Sequence, residues 1–418
     1  MPQSRRNFLH TAAVITGTAA CSTKNVFSAE EKKTLHPFSD WKEGFLDIHH
    51  ISTGRGESTF IIAPDGTTML IDAGDLADGR AEETVLPRLP NGSKLPGEWI
   101  AEYIKRFAKP HLDYVMLTHF HSDHIGSVPK TGAKKSAAGY VLTGISEVAE
   151  YISIGKIIDR CFPNYDYPTR KQVEGSNKSF FADYLAFADY QRKNRKTVFE
   201  KFIPGSKEQF TLKTSPAKYP FTIQNIAANA IVWTGKGTET KTVIPQETVL
   251  DENVYSCSVK ISYGNFAYFQ GGDICGLPVK RDVETAIADV TGKIDVMSMN
   301  HHAYSDSANP HFLSILRPRI MVIPVWDTWH PHISALTRMT DKNIYPDERL
   351  TFATGMHKDN IERLGDLATS IVSPQGHTVI RVTDGGAKYR VFVLDSSVEV
   401  PKVLFATEEI SATANGGP

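Results

Sequence analysis

With 418 residues, 41% of them hydrophobic and 22% charged, the chain is long enough for one large α/β domain or two modest ones. A formal net charge of -1 argues against a broad electrostatic grip on nucleic acid or an anionic membrane. No apolar run of about 18 residues follows the N-terminal region, so no membrane-spanning helix is expected beyond a leader.

The first residues read as an address. Ser4-Arg5-Arg6-Asn7-Phe8-Leu9, followed by a mildly apolar run from Thr11 to Ala20, has the form of a twin-arginine export signal within residues 1–29. A periplasmic or otherwise exported protein is expected; the bland alternative is a flexible basic arm. Cys21 follows a degraded lipidation site without the usual Leu, so free export is expected over a lipid anchor. Cys161, Cys257 and Cys275 then permit at most one disulfide, and no CxxC spacing supports a cysteine-based zinc knuckle.

Residues 30–44 read as a linker, and one α/β domain is expected from 45 to about 400. Strands are predicted at Phe45–His50, Ser58–Ala63 and Thr68–Gly74, with a hairpin turn at Pro64-Asp65-Gly66. A helix is predicted over Glu98–Phe107 and a strand over Leu112–Thr118. Residues 145–200 read as a helical insertion or lid, from helical stretches at Ser146–Ile158 and Phe180–Lys201 with aromatic residues between them. Strands resume over Phe210–Thr234 and Tyr255–Phe269. A helix follows at Arg281–Val290, then strands at Ile294–Met299 and Arg319–Val325 and a hairpin at Thr378–Leu394. Residues 401–418 read as a tail. Strand-rich halves separated by helices suggest two sheets packed face to face with helices outside.

The chemistry is concentrated in Thr118-His119-Phe120-His121-Ser122-Asp123-His124-Ile125-Gly126. In an extended segment residues two apart point the same way, so His119 and His121 can meet one cation. Asp123 and His124 follow at a turn and can reach a second. Imidazole nitrogen and carboxylate oxygen suit zinc and similar divalent ions.

This HxHxDH segment resembles the signature of the metallo-β-lactamase superfamily, and other landmarks fall in that family's order. Leu70-Ile71-Asp72-Ala73-Gly74 resembles its first motif, whose Asp orients the metal shell. Phe269-Gln270-Gly271-Gly272-Asp273 resembles the fourth, whose Asp bridges two metals, and Met299-Asn300-His301-His302 resembles the fifth, which supplies a His. The pattern is most similar to the hydrolase domain of the DNA-uptake protein ComEC and its free-standing relatives. Gly54-Arg55-Gly56-Glu57-Ser58 stands where those carry a GQGD-like turn, Asn253 precedes the strand entering Gly272-Asp273, and Trp329-His330-Pro331-His332 lies downstream. The sequence departs from that group at His121, often Asp there, and at Ala303, usually Gly. No His occupies the third motif, where only Asp251, Glu252 and Asn253 stand.

The resemblance implies an αββα sandwich and a metal-dependent hydrolase with two zinc ions, one weakly held. The first position would have His119, His121 and Asp273, with the remainder left to water or a weak oxygen ligand. The second would have Asp123, His124, Asp273 and His302. Asp72 would orient the ligands, and His301 would contact an oxyanion or leaving group, the roles of His301 and His302 being interchangeable at this level. His330, His332 and Asn253 are candidate pocket residues, with surface histidines beside a Pro turn as the alternative. Asp123 and His301 are the residues expected to carry the reaction. A phosphoester, small or nucleotide-like, is the expected substrate, with no stable nucleic-acid complex. A lactam, lactone or other acyl bond is the second reading, and a metal-binding relative without turnover the third.

Overall fold

Short apolar strands with side chains alternating between two faces build the first sheet. The computed structural model describes residues 36–415 apart from 77–81, 130–131, 177–179 and 216. The export signal, Cys21 and the start of the expected linker lie outside the described residues. From His36 onward the chain forms one unit.

The first sheet begins with β1 (Leu46–His50), β2 (Thr59–Ile62) and β3 (Thr68–Ile71), an antiparallel meander. The chain then passes through α1 (Pro96–Phe107) to β4 (His111–Met116). Next come α2 (Ser122–Ile125) and α3 (Ile145–Tyr151), followed by β5 (Ser153–Asp159). After α4 (Arg170–Ser176) and α5 (Phe181–Tyr190) comes β6 (Val198–Lys201). Strands β3 to β6 are parallel, as crossovers through helices require.

The second sheet contains β7 (Phe221–Ala228), β8 (Ile231–Trp233), β9 (Thr240–Thr242), β10 (Ser258–Tyr263) and β11 (Phe266–Gln270). After α6 (Glu284–Thr291) come β12 (Val296–Ser298), α7 (Pro310–Leu316), β13 (Ile320–Ile323) and α8 (Ile333–Thr340). It closes with β14 (Leu350–Ala353), α9 (Lys358–Leu364) and β15 (Ile371–Ser373). The chain then returns to the first sheet as β16 (His377–Thr383), β17 (Lys388–Leu394), β18 (Val403–Ala406) and β19 (Ile410–Ser411). The sheet orders are β18-β17-β16-β1-β2-β3-β4-β5-β6, with β19 on β17, and β15-β14-β13-β12-β11-β10-β7-β8-β9.

Period-two alternation sorts the core. Met69, Ile71, Tyr114 and Met116 face the other sheet, where they pack with Val259, Ile261, Tyr268 and Val322. Leu70, Val115 and Leu117 face outward, under Ile100, Tyr103 and Ile104 of α1 and Phe187 of α5. On the far side α6, α7 and α8 cover the second sheet through Ile287, Phe312, Leu313 and Leu336. The result is the αββα sandwich. Among the described residues no helix is long and apolar enough to cross a membrane.

Four expected boundaries are corrected. Residues 145–200 are not a helical insertion throughout. Ile154, Ile157 and Ile158 belong to β5, because branched side chains on a strand flanked by β4 and β6 pack better than in a helix. The excursion from the sheet is confined to 160–197. The tail beyond 401 supplies β18 and β19, and Thr413 N donates to Asp295 Oδ1, so the chain end stitches the two sheets together. The stretch before 45 is partly core: Phe38 is buried edge-on against His49 and Phe392. The described residues among 210–220, expected as strand, carry none; that part of the sheet starts at Phe221.

Candidate metal centre

The centre forms where β3, β4, β11 and β12 end together. Asp72, one residue past β3, is fully buried and holds a left-handed φ of 59°. Its carboxylate accepts from Thr118 N (2.8 Å), Thr118 Oγ1 (2.7 Å) and His124 Nδ1 (2.8 Å). One carboxylate thus fixes both the exit of β4 and the His124 ring. Gly56 and Gly74 flank the Asp123 carbonyl so closely that a Cβ on either would lie 2.5 or 2.0 Å from its oxygen. Only glycine permits that approach, and the Glu57 N–H uses it to donate to Asp123 O at 2.8 Å.

The expected ligands are brought together in two groups sharing Asp273. His302 Nε2 lies 3.0 Å from Asp123 Oδ2 and 3.4 Å from Asp273 Oδ1, and His124 Nε2 lies 3.2 Å from Asp273 Oδ1 and 3.6 Å from Asp123 Oδ2. On the other side His119 Nε2 is 3.1 Å from His121 Nδ1 and 3.7 Å from Asp273 Oδ2. The inward-facing nitrogens are set from behind, as metal-ligating imidazoles require. His124 Nδ1 bonds Asp72, and His302 Nδ1 bonds the Pro324 carbonyl at 2.9 Å, which leaves Nε2 of each to face the centre. His124 Nε2 and Asp273 Oδ1 are buried with no hydrogen-bond partner. Buried nitrogens and oxygens converging without partners fit a divalent cation.

Electrostatics agree. Burial raises the Asp273 carboxyl, but His124, His302 and His301 outweigh it and hold it well below the usual range. Burial depresses His302, yet Asp273 and Asp123 lift it to about 10. Burial, reinforced by His124, keeps His119 well below its ordinary value and so neutral. His124 and His302 are thus paired with the Asp123 and Asp273 carboxylates, while His119 stays neutral beside them.

His301 and His302 have different places. Both, with Ala303, adopt left-handed φ values of 46°, 52° and 57°, a run that costs on the order of 1–2 kcal/mol per non-glycine residue. That turn sends His302 into the cluster and leaves His301 16% exposed at its edge. His301 Nδ1 lies 2.6 Å from Asp306 Oδ1, and its Nε2 lies 3.0 Å from Asn253 Nδ2 and 3.9 Å from Asp273 Oδ2. Asp306 in turn pairs with Arg281 at 3.1 Å. Burial raises Asp306, but the His301 and Arg281 charges hold it below the usual range.

The third-motif residues divide. Asp251 caps the following turn by accepting from Asn253 N, and Glu252 turns away to Arg160. Asn253 alone reaches the centre. His330 is buried and stacks on His302 at 4.7 Å, with Nδ1 lacking a partner. His332 caps α8 through Ser334 N and is only partly buried, so its ring serves the helix end. Two residues not singled out from sequence join the site. Asp306 carried no motif at all. Glu57 sat in the glycine turn already noted, and it lies with His124, Asp273 and His302 in one group of potential ligand atoms within 4.8 Å of one another. Cys161, Cys257 and Cys275 are buried free thiols.

The description of the metallo-beta-lactamase superfamily matches residues 52–147. Recombination protein 2 of Haemophilus influenzae is 28% identical over 111 residues, which take in 26% of this chain and 14% of that protein. Among solved structures, a metal-dependent hydrolase of the beta-lactamase superfamily is 12% identical, with a TM-score of 0.38, over 73% of this chain and 95% of its own. Human tRNase Z, short form, is 8% identical, with a TM-score of 0.32, over 66% of this chain and 91% of its own. The superfamily match spans β2, β3 and β4 and every residue from Asp72 to His124 that builds the centre's first half.

Proposed function

We propose that this metallo-β-lactamase-fold protein is an exported, metal-dependent hydrolase that cleaves phosphoesters, preferentially phosphodiesters. The superfamily match over residues 52–147 and the αββα fold support the hydrolase class. One observation carries the reading. Asp123, His124, Asp273 and His302, as many as 179 residues apart in sequence, converge within hydrogen-bonding range around unpartnered buried atoms.

Divalent cations held there supply Lewis acidity, which lowers the pKa of water and polarises a phosphoryl oxygen. Zinc is the ion expected for the imidazole-rich His119–His121 position. The chain's own groups do the rest. Asp72 and the Pro324 carbonyl fix the ligand rings, so little reorganisation remains when substrate arrives. His301, at the edge of the cluster and held by Asp306, faces the space a departing oxygen would enter. Its carboxylate neighbours Asp273 and Asp306 overcome the effect of burial and raise its pKa, so it can donate Nε2–H to that oxygen. The Asn253 amide can reverse to accept that proton's hydrogen bond in the resting site, which would satisfy its unpartnered Oδ1.

Support for a phosphodiester comes from the ComEC-like pattern and from the partial likeness to a relative named for recombination. Export rests on Arg5-Arg6 and the following apolar run. A metal-by-substrate screen on bis-aryl phosphates, aryl esters, lactones and a cephalosporin tests the reading. Turnover of the phosphates is expected; bound metal with turnover of none of them would defeat it. Retention in the cytoplasm of the Arg5→Lys, Arg6→Lys double variant would support the export route, and unchanged secretion would refute it.

A further inference from the structure

We propose that Tyr304 and Trp329 form a shelf beside the metal centre that holds a planar aromatic group carried by the phosphoester, an aryl ring or a nucleobase. The inference rests on the phosphoester reading and names the part of the substrate that reading leaves open.

Ring-to-ring contacts lead outward from the buried ligands. His302 stacks on His330 with centroids 4.7 Å apart, and His330 meets Tyr304 edge-on at 6.1 Å. Tyr304 also lies 5.3 Å from His301, the ring at the edge of the cluster, and 5.8 Å from His332. His332 caps α8 and runs nearly parallel to Trp329, 6.2 Å away. Burial falls along this path. His302 and His330 are buried, Tyr304 and His332 are half-buried, and Trp329 is 46% exposed. The aromatic run therefore starts on a ligand ring and ends in solvent, where it can meet whatever is attached to the group held at the metals.

Both rings are held in place without use of their own polar atoms. Tyr304 N donates to His301 O at 2.6 Å, and Tyr304 O accepts from Ser307 N at 3.2 Å. Trp329 N donates to Asp327 Oδ1 at 2.9 Å, and the Arg363 guanidinium lies 3.9 Å from the indole centroid. Arg363 is itself anchored on Thr328 O at 2.6 Å and Asn360 Oδ1 at 3.2 Å. Trp41, Trp99 and Trp233 donate Nε1–H to backbone carbonyls at 2.7, 3.0 and 2.9 Å. Among the described residues neither Trp329 Nε1 nor the Tyr304 hydroxyl has such a partner. A tryptophan that served packing alone would bury its ring, as Trp99 does. Rings already fixed in position lose little freedom when a ligand arrives, and their π faces favour a planar ring over a saturated one of similar size.

The test is calorimetric titration of the metal-loaded protein with phenyl phosphate and with cyclohexyl phosphate, which differ in the planarity of one ring. Wild type is expected to bind phenyl phosphate about fivefold more tightly. Trp329→Leu and Tyr304→Leu keep apolar bulk and remove a π face. Each is expected to bring that preference below about twofold at unchanged metal content. Equal affinities in wild type, or a preference that survives both substitutions, would overturn the inference. Should Tyr304→Leu not fold, Trp329→Leu decides alone, since its side chain is open to solvent. Thymidine monophosphate against deoxyribose phosphate repeats the comparison for a base. The same preference there assigns the shelf to nucleobases, and its absence confines the shelf to aryl groups. Binding is read without turnover, so a phenyl preference in a protein that hydrolyses no diester would support the shelf while defeating the phosphodiester reading.

Discussion

Arg160, at the end of β5, grips Glu252 through two hydrogen bonds of 2.7 and 2.6 Å with both side chains at or below 1% exposure. The same Glu252 oxygen accepts from the Phe120 amide at 3.1 Å, between the two histidines His119 and His121. Arg160 also donates to Asn229 Oδ1 and the Tyr167 carbonyl. One buried ion pair therefore ties the first ligand segment to the turn that carries Asn253. Removing one member strands a buried charge, so Glu252→Ala should cost about 3–5 kcal/mol, while replacing both with apolar side chains should cost much less. Denaturant melts of Glu252→Ala, Arg160→Met and Arg160→Met with Glu252→Leu measure this. Additive losses in the double variant would contradict the pairing.

His119→Ala and Asp273→Ala should differ in severity. His119 serves one position, whereas the two Asp273 oxygens face both. Metal analysis should give about one equivalent after His119→Ala and less than that after Asp273→Ala, with hydrolysis abolished in each. Full activity at reduced metal content would overturn the ligand assignment.

Asp306 touches none of the metal-facing nitrogens but holds the His301 ring. Asp306→Ala should leave metal content unchanged and lower kcat about 10²-fold for esters with poor leaving groups. For a nitrophenolate, which needs no proton to depart, the loss should be small. An equal loss across leaving groups would mean that the pair only supports the fold.

Glu147, on α3, is buried, and neither carboxylate oxygen has a hydrogen-bond partner. Burial first, then the Asp75 and Glu98 carboxylates, against the opposing pull of Lys134, push it up to about 8 from 4.5. The folded state therefore holds a proton that the unfolded chain has released between these values, so its contribution to stability falls as pH rises from about 4.5 to about 8. Glu147→Gln should remove that decline, so the difference in Tm between variant and wild type should grow from pH 5 to pH 9. A constant difference would show that Glu147 titrates as an ordinary surface acid.

Much of the architecture was legible because it is local. Short apolar runs marked β1 to β4, helical spacing over Glu98–Phe107 marked most of α1, and glycines marked the turns. The stretch Ser146–Ile158 was not legible. Its apolar spacing suits helix or strand, and only pairing with β4 and β6 decides for strand at Ser153–Asp159.

The sequence alone determined that His119, His121, Asp123 and His124 would share one neighbourhood, because a strand end and a single turn leave neighbouring side chains nowhere else to go. Only the tertiary structure decided which distant groups join them. Asp123 meets His302 across 179 residues, and Glu57 meets Ser298 across 241. No local preference encodes such contacts; they follow from strand order and register, which bring the ends of β3, β4, β11 and β12 to one point. The same tertiary geometry separated His302 from His301, since three consecutive left-handed residues fix which ring turns inward.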